Sequence, residues 1–235
     1  MRSMVACLVV FSGVAAATAA SAQSVPATGS DVYHVHFAKA APGQASALGK
    51  FLMEPDKTSP MPTHFIVLRH QEGDDWDYVV IQHLGAKAEV TATAPPPTDA
   101  QRAATAWHND SFVSGPSWAD FTKEMGIGGA ANASSAVYIV GVHRPVPGHR
   151  EQLLKSLSAP AAPSKIQTGN VLLTHLEGAD WTVATITRYN SWQDLGNDRA
   201  AAAAAGDAAL AGWADIRQHS AFHRDTIAGR IYPAK

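Results

Sequence analysis

Cysteine is almost absent from this chain: of 235 residues only Cys7 carries a thiol. Charge is scarce as well, at 16%, with 18 Lys and Arg against 20 Asp and Glu. No cluster of Lys or Arg interleaves with aromatics, so nucleic acid is not an expected partner. There is no G-x-S-x-G, no phosphate-binding P-loop and no G-x-G-x-x-G in a strand–helix context. The most apolar stretch, Met4 to Ala19, is short and alanine-rich for a membrane span. With Arg2 before it and Ala20-Ser21-Ala22 after it, it reads as a signal peptide over residues 1–22. A mature start at Gln23 and a periplasmic or secreted location are therefore expected, with no membrane contact after signal removal. Almost no apolar segment precedes Cys7, which argues against lipidation. Loss of Cys7 with the signal leaves no disulfide, thiolate nucleophile or cysteine-ligated metal site.

What the chain does contain is a stretch written twice. His70-Gln71-Glu72-Gly73-Asp74-Asp75-Trp76 returns as His175-Leu176-Glu177-Gly178-Ala179-Asp180-Trp181, an offset of 105 residues from His70 to His175. The register holds without a gap through Val32/Val137, Tyr33/Tyr138, Val35/Val140, Pro42/Pro147, Gly43/Gly148, Leu48/Leu153 and Leu68/Leu173. Such a period suits one small domain per copy rather than a solenoid unit. The boundaries follow: repeat 1 over 23–125, a Gly/Ala/Ser linker over 126–135, and repeat 2 over 136–235.

Each copy has the same local grammar. Val32–Phe37 and Val137–Val142 are β-branched and aromatic, hence strands. Pro-Gly punctuates the turn, and Leu48, Phe51 and Leu52, or Leu153, Leu154 and Leu157, give a helical stripe. Phe65–Arg69 and Val171–Thr174 are second strands, Glu-Gly-x-Asp is a hairpin turn, and Trp76–Gln82 or Trp181–Tyr189 returns as a third. Further helices are expected over Thr98–His108, Trp118–Met125 and Asp207–His223, with Ile227–Tyr232 as a last strand in copy two. The Ala-Pro-Pro-Pro run at 94–97 is expected to be a surface loop.

The β-α-β-β-α-(β) order is ferredoxin-like. With the Pro-Gly before the first helix, the hairpin ending in Trp, and Tyr189-x-x-Trp192, the chain resembles the dimeric α/β-barrel superfamily. That group includes antibiotic-biosynthesis-monooxygenase-like and stress-responsive barrel families. The resemblance implies an α+β fold in which two four-stranded sheets pack face to face with helices outside. Two tandem ferredoxin-like repeats would supply both sheets as an intramolecular pseudo-dimer. It also implies cofactor-independent monooxygenase, isomerase or lyase chemistry, or haem held by an axial histidine.

Alternation separates the strand faces. Tyr33, Val35 and Phe37 match Tyr138, Val140 and Val142, an apolar face expected under the helices. The opposite face carries His34 and His36, with His143 in copy two; strand three offers Tyr78, Gln82, Thr185 and Thr187. These are expected to line a ligand cavity between the sheets. His34 and His36 are the candidate catalytic pair, because imidazole exchanges protons near neutrality. Tyr78, Gln82, His143, Thr185 and Thr187 are the candidate ligand-binding residues. His219 and His223, four apart on an expected helix, are weak metal candidates, with Asp215 a simple partner for His219. The repeated His, Glu and Asp of the frame are read as turn furniture, and Trp76 and Trp181 as covers for the core.

Three functions compete: small-molecule binding between the sheets, an enzyme using a barrel histidine, and a structural module with a filled barrel. No cofactor is expected, with haem or a transition metal left open, and homodimerisation is likewise left open.

Overall fold

The computed structural model describes residues 29, 31–59, 61–86, 96–128, 135–158 and 166–233. The expected signal peptide, Cys7, residues 129–134 of the expected linker, and Ala94 and Pro95 of the expected loop lie outside them. In chain order the elements are β1 (Asp31–Ala40), α1 (Ala45–Leu52), β2 (Phe65–Glu72), β3 (Tyr78–Ala86), α2 (Asp99–Ala104), β4 (Thr105–Gly115) and α3 (Trp118–Met125). There follow β5 (Val137–Pro145), α4 (Arg150–Ser158), β6 (Gln167–Gly178), β7 (Val183–Tyr189), α5 (Trp192–Ala204), α6 (Asp207–His219) and β8 (Ser220–Tyr232). No helix among the described residues is long and apolar enough to cross a membrane.

The strands close into one antiparallel barrel in the order β1-β3-β2-β8-β5-β7-β6-β4. The first four strands lie side by side as β4-β1-β3-β2 and the last four as β8-β5-β7-β6. The two seams, β2 with β8 and β6 with β4, each join the second strand of one half to the fourth strand of the other. Closure removes every open sheet edge.

The barrel interior is filled by apolar side chains. Tyr33, Val35, Ile66, Leu68, Ile81, Val113, Tyr138, Leu173 and Ile186 are all at most 1% exposed and belong to one cluster drawn from both halves of the chain. Each such side chain contributes roughly 1.5–3 kcal/mol by leaving water. This reverses the expected orientation. The apolar faces of β1 and β5 point into the barrel, and the mixed faces, with His34, His36 and His143, point outward. The space between the sheets is therefore occupied by side chains, and the cavity expected there is replaced by packing. The helices cover only part of the outer face, α1 over Ala38, Phe65, Val67 and Tyr78, and α5 over Val137, Ile139 and Tyr189.

Helix α3 packs into the same interior cluster, with Phe121 and Met125 fully buried. Two interior tyrosines hold it: Tyr33 Oη donates to Pro116 O at 2.8 Å and Tyr138 Oη to Met125 O at 2.9 Å. Gly126 ends it in the left-handed conformation, with φ of 66°. Arg188 then donates to Glu124 O, Thr168 O and Asn190 Oδ1, setting a cation at the helix's negative end.

Two helix boundaries differ from the sequence reading in a way that moves candidate residues onto strands. The expected helix over Thr98–His108 stops at Ala104, although Thr98 and Gln101 do form its capping box. From Thr105 the chain is strand β4, drawn out by pairing with both β1 and β6. Likewise the helix expected to reach His223 ends at His219, and Ser220 begins β8.

Candidate active site

Strand register makes a small grid on the outer face of the first half. Reading across β3, β1 and β4, the rows are Gln82–His34–Phe112, Val80–His36–Asp110 and Tyr78–Ala38–His108. Three imidazoles converge on one carboxylate. His34 Nε2 lies 2.8 Å and His36 Nδ1 2.7 Å from Asp110 Oδ1, and His108 Nδ1 lies 2.6 Å from Oδ2. The His34, His36 and Asp110 side chains are 22%, 21% and 38% exposed, so the cluster is shielded yet reachable.

Burial pushes the Asp110 carboxyl up, but the hydrogen bonds and charge of His34 and His36 outweigh it and hold it well below the usual carboxylate range. An ionised carboxylate only accepts, so all three rings donate to it. In the neutral form of each ring this leaves the lone pair on Nδ1 of His34 and on Nε2 of His36 and His108. Phe112 stacks on His34, with centroids 5.3 Å apart, and leaves an exposed aromatic face beside the cluster.

The duplicated frame now acquires a purpose. The β6–β7 hairpin tip docks on β4 and the β2–β3 tip docks on β8. Gly178, with φ of 114°, presses on Asp110 and Ser111, and Gly73, with φ of 124°, on Asp225 and Thr226. The next residue in each copy donates its amide to the neighbouring hydroxyl, Ala179 to Ser111 and Asp74 to Thr226, both at 3.2 Å. The aspartate before the tryptophan of the frame pairs with a cation on the first strand of its own copy, Asp75 with Lys39 and Asp180 with Arg144. Its tryptophans, Trp76 and Trp181, are buried in the core, edge-on to His70 and His175. Each half thus clasps the other half's last strand at its aspartate.

The second half carries a changed version of the grid, with rows Thr187–Ile139–Ile227, Thr185–Gly141–Asp225 and Val183–His143–His223. Ile139 and Gly141 stand where the first half has His34 and His36. His223 Nε2 still donates to Asp225 Oδ1 at 2.9 Å, and the buried His143 ring stacks on His223 with centroids 4.5 Å apart. Burial first, then the charge of His223, pushes the His143 imidazole down to about 4, against the pull of Asp225. A surface hollow of about 450 Å³ lies beside this second cluster, lined by Gly73, Asp74, Asp75, Arg224 and Asp225.

The expected site residues therefore divide between two places. His34, His36, Tyr78 and Gln82 share the first grid, where the Tyr78 hydroxyl is engaged with Ala45 O at 2.8 Å beneath α1. His143, Thr185 and Thr187 sit on the second. The His219/His223 pair is not a pair. His219 closes α6, with Nδ1 2.9 Å from His149 Nδ1 and Nε2 4.0 Å from Asp215, while His223 is on β8. His108 and Asp110 were missed. Their signal was present: His108-Asn109-Asp110-Ser111 and His223-Arg224-Asp225-Thr226 share His-x-Asp-Ser/Thr, but the offset from His108 to His223 is 115, outside the gapless register.

No family model and no curated protein matches the chain. Solved structures do. The chain is similar in fold to an anthrone oxidase-like protein, with TM-score 0.62 at 13% identity, covering 86% of this chain and 92% of that one. A candidate monooxygenase from Fusobacterium nucleatum matches with TM-score 0.53 at 9% identity, over 86% and 93%. Another from Lactobacillus acidophilus gives 0.50 at 7%, over 86% and 94%. At such identities the likeness is one of fold, and that fold is of the dimeric α/β-barrel kind.

Proposed function

We propose that the chain is an exported enzyme acting on a small apolar or aromatic molecule at the outer face of its first half. The observation that carries this is the convergence of His34, His36 and His108 on Asp110. A carboxylate that anchors one ring nitrogen sets the other to take a proton. His36 and His108 both offer Nε2 in this way, and Phe112 supplies an aromatic wall. The fold-level likeness to an anthrone oxidase-like protein and to candidate monooxygenases supports the reading by analogy. In such a reaction a base removes a proton from a carbon activated by a ring carbonyl, and the electron-rich anion meets dioxygen. One oxygen atom enters the product and the other leaves as water.

The closed order of the barrel supports a further reading, that the chain is a tandem pair of ferredoxin-like units, an intramolecular pseudo-dimer. Export rests on the Arg2 to Ala22 segment, and an N-terminus at Gln23 in the periplasmic fraction checks it. The activity is tested with anthrone as probe, following oxygen uptake. Wild type should consume oxygen, while His36→Ala and Asp110→Asn should be slower by roughly 10²–10⁴ with the fold retained. Equal rates in wild type and Asp110→Asn, or no uptake by any form, would overturn the reading.

A further inference from the structure

We propose that His34 Nε2, His36 Nδ1 and Asp110 Oδ1 form the protein's share of a site for one divalent first-row transition metal ion. The proposal rests on the same cluster being the active centre and gives that centre an electrophile. Two imidazole nitrogens and one carboxylate oxygen are the donor set of the facial two-histidine, one-carboxylate site, and imidazole selects transition ions over magnesium or calcium.

The geometry fits the ion's needs. Bonds of about 2.0–2.2 Å at right angles separate neighbouring donors by about 3.0 Å. Here Asp110 Oδ1 stands 2.8 Å from one imidazole nitrogen and 2.7 Å from the other, and the three atoms lie within 4.8 Å of one another. Turning the two rings toward a common point beside Asp110 Oδ1 replaces the two shared protons with one cation. Each neutral ring shifts its N–H to the opposite nitrogen as it binds; a protonated ring releases one proton instead. Three protein donors on a half-exposed face leave coordination positions open to water or substrate, as in catalytic rather than structural sites.

His108 completes the arrangement without being a ligand. Its Nδ1 holds Asp110 Oδ2, leaving Oδ1 for the ion, the orienting role that outer partners play in metal centres. Its free Nε2 keeps the proton-transfer task once His34 and His36 are bound. The second half serves as an internal control. It retains the His-x-Asp pair as His223 and Asp225 but has Ile139 and Gly141 at the two histidine positions. One ion per chain is therefore expected, not two.

The test uses the mature chain, stripped by chelator and titrated with Zn²⁺ by calorimetry and with Co²⁺ by visible absorption. Wild type should take up one equivalent and give a ligand-field band. His34→Ala, His36→Ala and Asp110→Asn should lose that uptake while their circular dichroism stays native. His108→Ala should weaken it on the order of 10–100-fold, and His223→Ala should leave it unchanged. No stoichiometric uptake by wild type, or unchanged uptake in His36→Ala, would sink the site. The two proposals fail separately: anthrone oxidation that persists in stripped protein without metal uptake removes the ion and keeps the base. Metal uptake without oxidation in either form does the reverse.

Discussion

Gly178 lies so close to the backbone of Asp110 that a Cβ there would stand 2.2 Å from the carbonyl oxygen. Its φ of 114° already disfavours any other residue. Gly73 repeats the contact on the other seam, 2.6 Å from Asp225 O. Gly178→Ala should thus cost on the order of 1–3 kcal/mol and displace Asp110, weakening whatever the first cluster binds or does. Gly73→Ala should cost a similar amount and spare that cluster. Thermal melts, read beside Co²⁺ uptake or oxygen consumption, check the pair. Equal effects of the two variants on the first cluster would remove the clasp from its function.

His143 sets a pH limit on stability. Buried at 3% exposure and facing His223 and Asp225, it is held neutral, with its pKa lowered from 6.5 to about 4. The unfolded chain takes up a proton near pH 6.5 and the folded chain does not until about pH 4. Its contribution is whole above pH 6.5, declines as pH falls, and is spent below about 4. The full difference is about 3 kcal/mol, at 1.36 kcal/mol per pKa unit. Urea unfolding between pH 7.5 and 4 should show this slope, and His143→Leu should flatten it. A slope that survives in the variant belongs to another group.

The architecture was legible where chemistry is local. β1, α1 and the β2–β3 hairpin follow from Val32–Phe37, Leu48-x-x-Phe51-Leu52 and Glu72-Gly73, and their counterparts from the repeat. What alternation could not reveal was which face turns inward. Both faces of these strands carry apolar residues, because one fills the barrel and the other partly meets helices, as Tyr33 and Ala38 do on β1. The fuller apolar face takes the barrel interior, where burial favours apolar side chains, and so His34 and His36 were nominated correctly as neighbours but assigned to the wrong side. Strand β4 was hidden by the Thr98 capping box, a true helix signal followed by an abrupt change. Asp110 was hidden with it: α5 and α6 together occupy the place of α2, and that extra length shifts the fourth strand out of register with its twin.

Arg188 links α3 to the barrel through Glu124 O, Thr168 O and Asn190 Oδ1, and among the described residues it has no salt bridge to a carboxylate. Hydrogen bonds to a charged group contribute about 1.5–3 kcal/mol each at best and are not additive. Arg188→Met, which keeps much of the volume, should cost at least about 2 kcal/mol. The amides of Gly126 and Ile127, bonded to Lys123 O and Thr122 O, should then exchange with deuterium much faster than in wild type. Protection unchanged at those amides would show that Tyr33, Tyr138 and the buried Phe121 and Met125 hold the helix unaided.

The difference between the two grids can be erased by design. Position for position, Ile139 and Gly141 answer to His34 and His36, and Thr185 answers to Val80. Gly141 alone cannot accept a side chain, since a Cβ there would come 2.7 Å from Thr185 Oγ1, 2.8 Å from Asp225 Oδ1 and 3.2 Å from His143 Nε2. Ile139→His with Gly141→His should therefore fold poorly, while adding Thr185→Ala and His143→Ala removes two of the three obstructing tips, leaves Asp225 Oδ1 to serve as a donor, and restores the first half's central column of His, His and Ala. The fourfold variant should bind two equivalents of Co²⁺ per chain where wild type binds one, and Asp225→Asn in that background should return it to one. A well-folded fourfold variant that still binds a single equivalent would mean that the strand register does not by itself define the donor set, and that His108's neighbours in the first half supply something the grid leaves out.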